Sequence, residues 1–131
     1  MKTIRVAAAI IVRDGRIFAT QRGYGEFRDY WEFPGGKIEA GEDPRDTIRR
    51  EIREELAAEV TPVKHFATVE YDYPEFHLSM ECYLSRLDSE KLTLLEHEAA
   101  KWLSQDELMT VNWLPADLSL IQDLKTAPLN I

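Results

Sequence analysis

The stretch Gly36–Glu59 reads GKIEAGEDPRDTIRREIREELAAE, and its second half sets the electrostatic question on which the fold turns. Gly41-Glu42-Asp43-Pro44 is a helix start, since Asp43 suits the capping position and Pro44 the first helical one. Ile48, Ile52 and Leu56 then recur at i, i+4 and i+8 as one apolar stripe, which predicts a helix from Pro44 to Glu59 that ends before Pro62. On the adjacent side Glu51, Glu54 and Glu55 crowd onto about one turn, at a cost of about 0.3 kcal/mol per like-charged pair. Taken alone, EIREEL describes a solvated helix face relieved by Arg49, Arg50 and Arg53 as well as it describes a cation site.

The preceding residues separate the two readings. Gly35-Gly36 form a tight loop where backbone can approach a ligand, and hard divalent cations take oxygen ligands from a few carboxylates together with phosphate and water. Forward from Gly36 there are five residues, then Glu42, seven residues, then Arg50-Glu51-Ile52-Arg53-Glu54-Glu55-Leu56-Ala57-Ala58. This resembles the Nudix box, G-x5-E-x7-R-E-U-x-E-E-x-G-U with U aliphatic. Every polar position matches. Ala57 is the departure, standing where the family has glycine; it is not a ligand position, so its effect falls on the helix end.

Working outward, Val6–Val12 and Ile17–Thr20 flank Asp14-Gly15 and predict a β-hairpin. Arg22–Tyr30 has two glycines and no periodicity, hence a surface loop, and Trp31-Glu32-Phe33 reads as a short strand ended by Pro34-Gly35-Gly36. Lys64–Tyr73 and Phe76–Leu87 form a second antiparallel pair, Ala99–Leu103 a further strand, Ser104–Glu107 the capping box of a short helix, and Asp117–Lys125 a last helix. The pattern predicts an α/β (α+β) fold in a single domain, residues 1–131. The resemblance extends over nearly the whole chain, through AAAIIVRDGRIFATQR, WEFPGGKIEAGE, EHEAAKWLS and LPAD in the order of the MutT-like and CTP-pyrophosphohydrolase-like branch. It implies an α/β/α sandwich on a central mixed β-sheet, with the box as a catalytic loop and helix.

A formal charge of -8 excludes nucleic-acid polymers and anionic membranes as expected partners, and requires a divalent metal or local basic pocket before a phosphorylated substrate can bind. Cys82 is the only cysteine, so no internal disulfide forms and a reducing, cytoplasmic setting is expected; the apolar run Val6–Val12 is too short for a membrane span. The expected assembly is a monomer or homodimer.

The resemblance implies Mg²⁺- or Mn²⁺-dependent hydrolysis of a nucleoside triphosphate to monophosphate and pyrophosphate. It places Glu51 and Glu55 as principal metal carboxylates, Glu54 beside them or on a bound water, and a Gly36 carbonyl as a further ligand. Arg50 orients Glu51, and Glu42 stabilises the loop and helix start. Glu96, six residues before Trp102, matches an extra ligand or base, or is an ordinary loop acid. Arg22 and Lys37 are candidate phosphate contacts or surface cations. Phe33, Phe76 and Tyr73 are candidate stacking walls or plain core. Asp117 caps a helix at Leu118 or, as the resemblance implies, meets the nucleobase, where cytidine-preferring relatives have aspartate and 8-oxoguanine-specific ones asparagine. An ionised aspartate accepts only, which suits cytosine N4, and Phe76 stands where MutT carries arginine. The expectation is therefore CTP, dCTP or modified cytosine nucleotides, against the alternatives of an 8-oxo-dGTP sanitising enzyme and a non-catalytic nucleotide sensor. Such sensors lose box glutamates, and this chain keeps them all.

Overall fold

A computed structural model describes residues 1–131. The chain runs β1 (Lys2–Arg13), β2 (Arg16–Arg22), β3 (Trp31–Glu32), β4 (Gly35–Lys37), α1 (Pro44–Leu56), β5 (Val60–Asp72), β6 (Phe76–Leu87) and β7 (His97–Ser104), then a 3₁₀-helix (Gln105–Thr110) and α2 (Pro115–Leu124). The seven strands make one mixed sheet, in which β1 pairs parallel with β6 and every other pairing is antiparallel. Alternation along β1 sorts its side chains to two faces. Ala7, Ala9 and Ile11 meet Ile48, Ile52 and Leu56 of α1, while Ala8, Ile10 and Val12 join Leu120, Ile121 and Leu124 of α2 in the second core. The α/β/α sandwich expected from the resemblance is present, and no helix is long and apolar enough to cross a membrane.

Several boundaries differ from the sequence reading, and three of them bear on the site. Gly35–Lys37 does not merely end a strand; it is β4, paired antiparallel with β1 through Val6↔Lys37, Ala7↔Gly36 and Ala8↔Gly35. Only glycine permits that approach, because a Cβ on Gly35 would stand 2.1 Å from the Ala7 carbonyl oxygen. Second, α1 stops at Leu56, three residues early, and Pro62 lies inside β5, an edge strand that tolerates proline beside a bulge. Third, α2 begins at Pro115 rather than Leu118, so Asp117 sits in its first turn and is not its cap.

The early stop of α1 places the one mismatch in the box at the helix end. Ala57 is left-handed, with φ 50° and ψ 41°, and donates its N–H to the Arg53 carbonyl oxygen at 3.1 Å. A family glycine at this point avoids a Cβ clash worth about 1 kcal/mol. Ala57→Gly is therefore expected to raise Tm by roughly 3 °C in a thermal melt while leaving turnover within twofold; an unchanged or lowered Tm would show that the left-handed alanine carries no strain.

Candidate active site

The loop before α1 is fixed by one carboxylate. Glu42 Oε1 accepts from the Glu39 N–H at 3.1 Å, the Thr47 hydroxyl at 2.7 Å and Arg50 Nη2 at 3.0 Å, while its Oε2 accepts from Arg50 Nε at 3.0 Å. The Arg50 guanidinium and these hydrogen bonds hold the Glu42 carboxyl at a pKa of about 2. Arg50 Nη1 in turn donates to Glu51 Oε1 at 2.7 Å, and Nη2 to the Lys37 carbonyl at 3.1 Å. One guanidinium thus ties the loop, β4 and Glu51 of α1 together. Gly36 packs directly on that acid, since a Cβ there would lie 2.3 Å from the Glu51 carboxyl carbon.

Along α1 the three glutamates meet different surroundings. Glu54 is 57% exposed and reaches Arg50 at 3.5 Å. Burial pushes the Glu51 carboxyl up despite Arg50 beside it. Glu55 is only 8% exposed, and burial, reinforced by the charges of Glu51, Glu96 and Glu32, raises its pKa to about 9. Its Oε2 is buried without a hydrogen-bond partner, as is Nδ1 of His97, whose Nε2 lies 3.8 Å from Glu55 Oε1. Glu55, exposed Glu96 and His97 line a polar cavity of about 320 Å³, together with Arg22, Glu32 and the Gly23–Glu26 loop.

A second cavity, of about 180 Å³ and mainly apolar, opens beside the first and shares Arg22, Glu32 and Gly35 with it. Phe76 stacks on Tyr73 with ring centroids 5.1 Å apart, and Phe27, a loop residue at φ 64°, closes on Tyr73 at 5.5 Å. Phe33 contributes from the other side while stacking on Trp113 at 4.7 Å. Asp117 lies within this cavity, 4% exposed, and its Oδ1 accepts the Phe33 N–H at 3.2 Å. Burial, with the nearby Glu32 charge, raises its pKa to about 8, which favours the protonated carboxyl, able to donate as well as accept, over the ionised acceptor.

The family profile described as the NUDIX domain matches residues 2–124. The chain belongs to the Nudix family. It is 33% identical to the CTP pyrophosphohydrolase of Escherichia coli (strain K12) over 93% of this chain and 91% of that one. It is 34% identical to the 8-oxo-dGTP diphosphatase of Haemophilus influenzae, over 94% and 92% respectively. In structure it superimposes on the solution structure of the E. coli ORF135 protein with a TM-score of 0.83 at 33% identity, covering all of this chain and 96% of that one. The MutT NUDIX hydrolase from Burkholderia pseudomallei gives 0.84 at 26% identity, covering 93% and 98%. The protein is a Nudix hydrolase that acts on the diphosphate linkage of nucleotides.

Nudix hydrolases generally need a divalent metal, usually Mg²⁺. The acids of α1 fit one, because every donor is a hard oxygen and the buried Glu55 Oε2 lacks any partner. No three acidic or histidine side chains already converge on one point, so an ion held among these acids would also draw on backbone carbonyl, water and phosphate oxygens.

Of the other residues singled out in the sequence, Arg22, Phe33, Phe76 and Asp117 come together around the apolar cavity and Glu96 beside Glu55, whereas Lys37 lines neither cavity. Arg22 is not free: its Nε donates to Glu32 Oε2 at 3.1 Å and its Nη2 to Oε1 at 2.7 Å. Glu32, His97 and Phe27 escaped the sequence reading. Glu32 carried a signal, an acid placed between Trp31 and Phe33 just before a double glycine, whereas Phe27 is put in place by left-handed loop backbone and leaves no periodic trace.

Proposed function

We propose that this Nudix hydrolase converts CTP, dCTP or a modified cytosine nucleotide to the monophosphate and pyrophosphate. The observation that carries the reading is a single buried carboxyl, Asp117, facing an apolar, aromatic-walled cavity that adjoins the acids of α1. With Oδ1 taken by the Phe33 N–H, the protonated Oδ2 can donate to cytosine N3 and accept from its N4 amine. An 8-oxoguanine carries more polar edge atoms, and apolar walls would leave more of them without partners. Phe76 beside Tyr73 offers the base a stacking surface.

Glu51, Glu54 and Glu55, with the Gly36 carbonyl and Glu96, would hold Mg²⁺ or Mn²⁺. A cation bound there neutralises phosphate charge and activates a water. The chain's own part is to place these acids: Arg50 fixes Glu51, Glu42 fixes Arg50, and the α1 stripe on the sheet fixes Glu55 in its low-dielectric position. Glu96 is exposed at the cavity mouth, in a position to accept a proton from water.

The test is a panel of CTP, dCTP, 5-methyl-dCTP, 8-oxo-dGTP and the common triphosphates with Mg²⁺, scored for pyrophosphate against phosphate. Cytosine nucleotides are expected to lead in kcat/KM by at least about tenfold, the worth of one added hydrogen bond to the base, with pyrophosphate released. Equal or faster turnover of 8-oxo-dGTP overturns the base assignment. Nucleotide binding without pyrophosphate release would favour a sensor.

A further inference from the structure

The two cavities meet at Arg22, Glu32 and Gly35. If the base lies over Asp117 and the phosphates reach the acids of α1, the sugar passes this boundary, and Glu32 is the acceptor waiting there. Its carboxylate is built in rather than loose. β3 is anchored by the Thr20 hydroxyl donating to the Glu32 carbonyl at 3.1 Å and by the Trp31 N–H donating to the Asn112 carbonyl at 2.8 Å. Arg22 grips both carboxylate oxygens, and a bulge between Gln21 and Arg22 in the β2–β7 pairing marks where the arginine side chain is aimed.

Each oxygen spends one lone pair on Arg22 and keeps the other. A carboxylate in that state accepts hydrogen bonds and repels phosphate, and between the base and the phosphates a nucleotide has one kind of neutral donor, the sugar hydroxyl. We infer that Glu32 reads the sugar, accepting a hydrogen bond from a ribose or deoxyribose hydroxyl and so setting which sugar forms this hydrolase accepts. The inference rests on the nucleotide orientation proposed above.

Calorimetric binding of CMP, dCMP and 2′,3′-dideoxy-CMP to the full chain tests it, with the matching guanosine series alongside. The dideoxy form is expected to bind about tenfold more weakly than at least one hydroxylated form, on the scale of a lost hydrogen bond to a charged group. In Glu32→Ala that ratio should fall below twofold whatever the absolute affinity. Equal binding of all three sugars by the unsubstituted protein overturns the inference without recourse to any variant. So does a Glu32→Ala protein that binds all three more weakly by one common factor, because that is the mark of a purely structural role. A sugar ladder that persists in the guanosine series while guanosine outbinds cytidine would instead sink the base reading and leave the sugar reading standing.

Discussion

Glu55→Gln is expected to cost roughly a hundredfold to a thousandfold in kcat, the scale on which losing one charged group from a transition-state site is felt, and at the same time to raise the melting temperature of the metal-free protein. The second effect follows from the first residue's surroundings. Burial, together with the charges of Glu51, Glu96 and Glu32, moves the folded-state pKa of Glu55 from 4.5 to about 9. A carboxyl with a raised folded pKa contributes its full stability below 4.5 and loses it progressively as pH climbs toward about 9, because the unfolded chain ionises first. At pH 7 the interval above 4.5 corresponds to about 3 kcal/mol, or roughly 10 °C in Tm, that glutamine would not forfeit. Melts at pH 4.5 and pH 7 check the sign: the variant should match the unsubstituted protein at the lower pH and exceed it at the higher. Adding Mg²⁺ should stabilise the protein that keeps Glu55 more than the variant. A variant that is less stable at pH 7, or that retains near-normal kcat, would remove Glu55 from its assigned place. Stability given up for an ionisable group in a buried position is the trade expected of a site made to receive a cation.

The same contrast shows what a linear sequence exposes. Asp43, Pro44 and the stripe Ile48, Ile52, Leu56 act within a few residues of one another, so the start and buried face of α1 were legible from propensity and spacing. Glu42, Arg50 and Glu51 were legible because the box encodes their separation, and the structure links them through bonds of 2.7 to 3.0 Å. Gly35–Lys37 was not, since a strand of three residues, two of them glycine, has no side-chain alternation and exists only through pairing with a distant β1. The end of α1 was hidden for a related reason: Ala57 and Ala58 are good helix formers, and the turn there is imposed by Ala58 and Val60 packing into the core beneath α1. The raised pKa of Asp117 has no local trace in the sequence, which leaves a protonated carboxyl open without favouring it. It depends on desolvation by residues from five strands and the loops between them that become neighbours only in the folded sheet.

That proton bears on a second large effect. Asp117→Asn is expected to lower the ratio of kcat/KM for CTP over 8-oxo-dGTP by about a hundredfold, on the scale of two exchanged hydrogen bonds. The Phe33 N–H requires an acceptor, so an asparagine would turn its oxygen to Phe33 and its amide nitrogen into the cavity. A neutral carboxyl offers the base both a donor and an acceptor through Oδ2, whereas the amide nitrogen only donates, which forfeits cytosine N4 and suits the carbonyl O6 of a guanine. An unchanged ratio would sink the base reading. The pH dependence carries an independent sign. The folded pKa of Asp117 is raised from 3.8 to about 8, so its stabilising contribution is complete below 3.8 and disappears as pH rises through about 8. Over the same upper range the donor to cytosine N3 is lost, and KM for CTP should rise above pH 8. For a pyrimidin-2-one nucleotide, which has no exocyclic amine but keeps N3, KM should rise in the same way. In Asp117→Asn that rise should be absent and the fall in Tm between pH 4 and pH 8 shallower, because the amide does not titrate. If both proteins instead show the same KM profile between pH 6 and pH 9, the ionisation belongs to the nucleotide or to another group, and Asp117 reads the base without changing charge.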